Sequence, residues 1–125
     1  MENKRYLYLN SRDEFFRIDL SKVIFFEADG NYTNIYLTNK VKGTVGMNLS
    51  KMQTLLHDNL KDAAGTFVRV GKRFIINTLF VYRINILRQN LVLSDASTFE
   101  FNLGISKDAL KSLRDAFING QISHK

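Results

Sequence analysis

Short apolar runs, each closed by a turn signal, constrain this chain more than any other feature. Val23-Ile-Phe-Phe-Glu27 is nearly continuous in apolar residues, as a strand covered on both faces requires. Ala28-Asp-Gly-Asn31 follows, with Asp-Gly a strong hairpin signal. Tyr32-Thr-Asn-Ile-Tyr-Leu37 then returns. Alternation sets Tyr32, Asn34 and Tyr36 on one face and Thr33, Ile35 and Leu37 on the other. Similar runs recur at Tyr6–Leu9, Phe15–Ile18, Val41–Val45, Thr66–Val70, Phe74–Ile76, Phe80–Ile84, Leu91–Leu93 and Thr98–Phe101, the last two separated by the turn Ser94–Ser97.

Two helices interrupt the strands. Residues 48–60 carry Leu49, Met52, Leu55, Leu56 and Leu60 on one face. Asn48 or Ser50 can cap this helix, and Ser50-x-x-Gln53 has capping-box spacing. Residues 106–118 begin at Ser106, a good N-cap, and carry the stripe Leu110, Leu113 and Phe117, with Gly120 where the chain can stop. The expected fold is mainly β, a β-rich α+β arrangement of about eight to ten short strands and two short helices.

With 125 residues, no proline and no internal linker, the chain reads as one domain over 1–125, with its core between positions 6 and 117. It contains no cysteine, which excludes disulfides, thiolate catalysis and Cys-rich zinc sites. His57 and His124 lack ligand spacing, so no metal site is expected. No apolar stretch is long enough to span a membrane and none resembles a secretory signal, which makes the cytoplasm the expected address. Enzyme motifs are missing: there is no phosphate loop ending in Lys-Ser/Thr, no H-E-x-x-H and no G-x-S-x-G. Glu27, which closes the most apolar strand, has the placement of a general base, but hydrogen bonding to the following turn is the better reading. Neither catalysis nor a cofactor is expected.

The cations are more informative. Eighteen Lys and Arg against twelve Asp and Glu give a formal charge of +6, which attracts polyanions. Gly71-Lys72-Arg73 is a compact cationic loop between apolar strands, with Arg69 and Arg83 flanking it in sequence. Lysine meets phosphate as a point charge, and arginine can also fork onto guanine. Lys107 follows Ser106, where the helix dipole disfavours a cation by about 0.3–1 kcal/mol unless an anion sits there. Ser106 either caps the helix or shares its hydroxyl with that anion. Thr33 and Asn34 follow the turn and have side chains able to contact bases, whereas Asn31 suits turn chemistry better.

These blocks resemble the LytTR-type DNA-binding domains of bacterial response regulators. The strand and turn Ile24-Phe-Phe-Glu-Ala-Asp-Gly-Asn-Tyr32 is similar to the family's opening. Met47–Leu60 resembles its short helix, Phe67-Val-Arg-Val-Gly-Lys-Arg-Phe-Ile-Ile-Asn77 its central block, and Leu103-Gly-Ile-Ser-Lys107 its approach to the last helix. The resemblance implies an elongated stack of antiparallel sheets that lays loops into successive major grooves of double-stranded DNA, with two copies on direct repeats and a homodimer on DNA. It implies DNA-binding positions at Thr33 or Asn34, at Lys72 with Arg73, and at Lys107. Arg69 and Ser106 belong to the same blocks and complete the expected site. The family often has His or Arg where Gly71 stands, Pro where Gly104 stands and Arg where Lys107 stands. The family's response regulators carry a receiver domain that this sequence does not include, so the chain reads either as a free-standing regulator or as an excised domain.

Two other function classes fit parts of the same pattern. A β-rich protein-interaction module would turn its basic face to an acidic partner. Binding of single strands would need exposed aromatics to stack bases, yet most of the five tyrosines and ten phenylalanines fall in strand runs that read as core.

Overall fold

The computed structural model describes residues 6–59 and 66–122; Leu60 of the expected first helix and His124 lie outside them. Ten strands and two helices are formed: β1 (Tyr6–Asn10), β2 (Phe15–Asp19), β3 (Val23–Asp29), β4 (Tyr32–Leu37), β5 (Lys42–Val45), α1 (Leu49–Asn59), β6 (Phe67–Val70), β7 (Phe74–Asn77), β8 (Val81–Asn85), β9 (Asn90–Ser94), β10 (Glu100–Gly104) and α2 (Lys107–Ile118). All strand pairs are antiparallel. They make a hairpin β1–β2, a five-stranded sheet in the order β5-β4-β3-β7-β6, and a three-stranded sheet in the order β10-β9-β8.

The five-stranded sheet is covered on both faces, as the apolar run in β3 demands. On one face Phe26, Ile35 and Ile75 pack with Leu7, Leu9 and Ile18 of the hairpin and with Leu49, Met52 and Leu56 of α1. On the other, Phe25, Phe74 and Ile76 pack with Leu91 and Leu93 of β9, Leu103 of β10, and Leu110 and Leu113 of α2. Three sheets are thus stacked around two cores.

Four strands begin later than their apolar runs suggest, β5 and β6 by one residue, and polar side chains explain the later start of the other two, β10 and β8. Expected at Thr98, β10 begins at Glu100. The Asp95 carboxylate accepts the backbone N–H groups of Ser97, Thr98 and Phe99 and the Thr98 hydroxyl, which holds those residues in a loop. These bonds, the Thr98 hydroxyl first, keep the Asp95 carboxyl below the usual carboxylate range. Expected at Phe80, β8 begins at Val81, because Asn77 Oδ1 accepts the Leu79 N–H at 3.0 Å and caps a single 3-10 turn over Thr78–Phe80.

Asn77 also donates from Nδ2 to the Val23 carbonyl at 2.9 Å, and it has no exposed surface. It therefore joins the end of β7 to the start of β3 in a place water does not reach. Asn77→Ala should remove the bonds to the buried Val23 carbonyl and the part-buried Leu79 N–H and cost about 1–3 kcal/mol. Urea denaturation would register this as a lower midpoint with an unchanged slope.

Candidate nucleic-acid interface

Three chain segments that carry expected contact residues meet at one end of the five-stranded sheet. Pairing of Glu27 with Phe74 brings the end of β3 beside the start of β7. The Ala28 N–H then donates to the Arg73 carbonyl at 2.8 Å, which ties the β3–β4 turn to the β6–β7 loop. Gly71 in that loop adopts φ +66°, a conformation that side chains disfavour. A Cβ at Gly71 would lie 4.0 Å from the Cβ of Ala109, so the loop abuts the first turn of α2. Lys72, Arg73 and Lys107 are exposed around this junction.

Arg69 is not part of the exposed set. Its Nη1 donates to Ser50 Oγ at 3.3 Å and to Gln53 Oε1 at 3.0 Å, and its Nη2 donates to the Lys72 carbonyl at 2.7 Å. Its Nε is buried without a hydrogen-bond partner among the described residues. The guanidinium is thus a brace between α1 and the cationic loop. Ser50 and Gln53 have capping-box spacing, yet they serve as the receptor for Arg69. The N-cap is Asn48, whose Oδ1 accepts the Lys51 N–H at 2.9 Å.

Thr33 and Asn34, expected beside DNA, are both buried, and their side chains are committed within the molecule. Thr33 has no exposed surface, and its hydroxyl donates to the Met47 carbonyl at 2.8 Å. Asn34 is 5% exposed. Its Oδ1 accepts from the Thr44 hydroxyl at 2.8 Å, and its Nδ2 donates to Asp29 at 3.3 Å and to Glu27 at 3.4 Å. Period-two alternation assigns the two residues to opposite faces correctly. It carries no information that both faces are covered.

Glu27 is the centre of this polar cluster, a role that sequence reasoning reached only as far as turn hydrogen bonding. Its Oε1 accepts from Asn34 and, at 3.0 Å, from the Tyr36 hydroxyl, while its Oε2 meets Arg73 Nη2 at 3.3 Å. The Arg73 side chain is 66% exposed and that of Glu27 only 21%. An ion pair this open adds little stability, within about 1 kcal/mol. What it does is direct an exposed guanidinium, which also lies 5.3 Å from the Phe74 ring centroid. Burial, then the Glu27 hydrogen bond and the charges of Glu27 and Asp29, raise the Tyr36 phenol above its ordinary pKa.

Ser106 is the N-cap of α2, its hydroxyl accepting the Ala109 N–H at 3.3 Å. Lys107 follows as the first helical residue, and Asp108 in the same turn is the carboxylate that suits the helix dipole. Arg83 lies on β8, in the three-stranded sheet, and its closeness in sequence to the cationic loop does not make it part of that loop. Among the described residues no group of His, Cys, Asp and Glu could hold a metal ion, and no helix is long and apolar enough to cross a membrane.

A strand-built domain with a braced cationic loop beside a helix start defines a recognisable class. The family model for the LytTr DNA-binding domain matches residues 13–118, and the chain belongs to this LytTR family. The LytTr DNA-binding domain of a Bacillus cereus protein described as a methyl-accepting/DNA response regulator has a similar fold, with a TM-score of 0.62 and 22% identity over 92% of this chain and 98% of that one. No curated protein matches the chain.

Two outcomes test the positioning groups. Arg69→Ala should remove three hydrogen bonds at once and speed amide exchange at Lys72 and Arg73. Arg69→Lys should not restore protection, because an ammonium cannot reproduce the planar fork. The second outcome concerns Tyr36. A raised phenol pKa means that folding favours the neutral form, so this contribution is complete below the ordinary tyrosine value and fades as pH rises through the raised one. An absorbance titration should find the Tyr36 phenol ionising above the ordinary tyrosine value, and Glu27→Gln should lower it.

Proposed function

We propose that this domain binds duplex DNA sequence-specifically, as the reading module of a cytoplasmic transcriptional regulator. The loops at the β3–β7 end enter the major groove. Lys72 and Lys107 take backbone phosphates and fix the pose, and Arg73, aimed by Glu27, reaches a base edge or a phosphate. Arg69 positions the Lys72 backbone, and Ser106 organises the helix start that Lys107 opens. Asn34 acts indirectly, by holding Glu27, and Thr33 stays internal. Two copies occupy direct repeats and form a homodimer on the DNA.

The observation that carries this reading is the closeness of Gly71 to Ala109. It puts the loop of Lys72 and Arg73 beside the helix start of Lys107, so one polyanion can meet all three. The formal charge of +6 supports it, as does membership of a DNA-binding family.

Selection from a random duplex pool should enrich one repeated motif. Affinity for that motif should fall steeply with salt, and Lys72→Ala and Lys107→Ala should each flatten the log–log slope by about 0.9, the share of one phosphate. Circular dichroism should show both variants folded. Slopes equal to wild type would remove these lysines from the interface. A pool without enrichment would favour the acidic-protein partner instead.

A further inference from the structure

The turn between β8 and β9, residues 86–89, takes no part in the surface described so far. It is built from the inside. Ile86 packs against the core beneath β9 and α2. Asn85 Oδ1 accepts the Arg88 N–H at 3.0 Å, and the Ile86 carbonyl accepts the Gln89 N–H at 3.1 Å. Gln89 adopts φ +52° to close the turn. With those groups committed, the turn presents Leu87 and Arg88 to solvent. Leu87 is 80% exposed, the most exposed large hydrophobic residue among those described. Arg88 is exposed and has no carboxylate partner among them.

A lone exposed leucine is ordinary. The location of this one is informative. The Gln89 carbonyl accepts the Ile105 N–H at 3.1 Å, and Asn90 pairs with Gly104. The turn therefore lies against the segment that leads directly into Ser106 and Lys107. The start of α2 thus has both the Gly71 loop and this turn beside it.

We propose that the β8–β9 turn is a flanking contact with the same duplex, outside the base pairs that are read. Arg88 takes a backbone phosphate, and Leu87 lies on the sugar edge beside it. The proposal rests on the duplex-binding reading above. A deoxyribose–phosphate strand offers this pairing of chemistries, since each anionic oxygen cluster is followed by an apolar sugar edge. An internally bonded turn meets it without an ordering cost for its backbone at the moment of binding. Such a contact adds affinity and orientation and carries no sequence information.

The test uses two duplexes carrying the motif selected from the pool, one trimmed to the motif and one with random flanks. On the flanked duplex Arg88→Ala should flatten the salt slope by about 0.9, and Arg88→Lys should restore it. Leu87→Ala should weaken binding several-fold with the slope unchanged. On the trimmed duplex both alanine variants should match wild type. Thermal melting confirms that each variant is folded, which exposed turn positions allow. Wild-type behaviour of Arg88→Ala on the flanked duplex overturns the proposal. So does an equal change in Arg12→Ala, a highly exposed arginine of the β1–β2 turn, since that would assign the effect to net charge. Wild-type affinity in Leu87→Ala overturns the sugar contact. In each of these cases a weakened Lys72→Ala still upholds duplex binding, whereas a pool without a motif ends both readings.

Discussion

Phe25 and Phe26 face opposite sides of β3, and each needs its own cover. Phe25 stacks on Tyr36, with centroids 4.3 Å apart, and meets the edges of Phe74 and Phe101. Phe26 meets Phe67 on the other side. Full burial of such a side chain contributes about 1.5–3 kcal/mol, and a single sheet with one solvated face would forgo it for one of the two. The hairpin and α1 therefore cover one side, and the three-stranded sheet and α2 cover the other. The three-layer arrangement follows from this requirement.

Covering both faces leaves the ends of the strands as the places where polar chemistry can be displayed. The β3–β4 turn, the β6–β7 loop and the helix start of α2 share one end because Glu27 pairs with Phe74 and Gly71 abuts Ala109. Arg69 reaches from β6 to α1 and holds the loop by its backbone, which leaves the side chains of Lys72 and Arg73 exposed. Loops positioned by a rigid scaffold in this way combine freedom to vary in sequence with a fixed location.

A carboxylate among cations weakens the pull on a polyanion. Glu27 and Asp29 are nevertheless present, and they are held by Asn34 and Tyr36. Their contribution is positional. A free arginine samples many rotamers and must lose that freedom on binding, at about 0.5–1.5 kcal/mol for such a side chain. One already aimed by Glu27 loses less. The cluster thus exchanges some long-range attraction for a defined direction of the Arg73 guanidinium.

The sequence by itself determined the elements. All ten apolar runs became strands, both helical stripes became helices, Ser106 became an N-cap, and four family blocks pointed to one fold. These features are local, since strand alternation, helix periodicity and capping all act within a few residues. Tertiary structure decided which polar residues face outward. Thr33 and Asn34 lie inside because a second layer covers their strand, and Ser50 and Gln53 receive an arginine sixteen or more residues away instead of capping their own helix. Lys72 and Lys107 share one end because β7 pairs with β3 and α2 packs against the β6–β7 loop. Those contacts join residues far apart along the chain, and no pattern read over a few residues contains them.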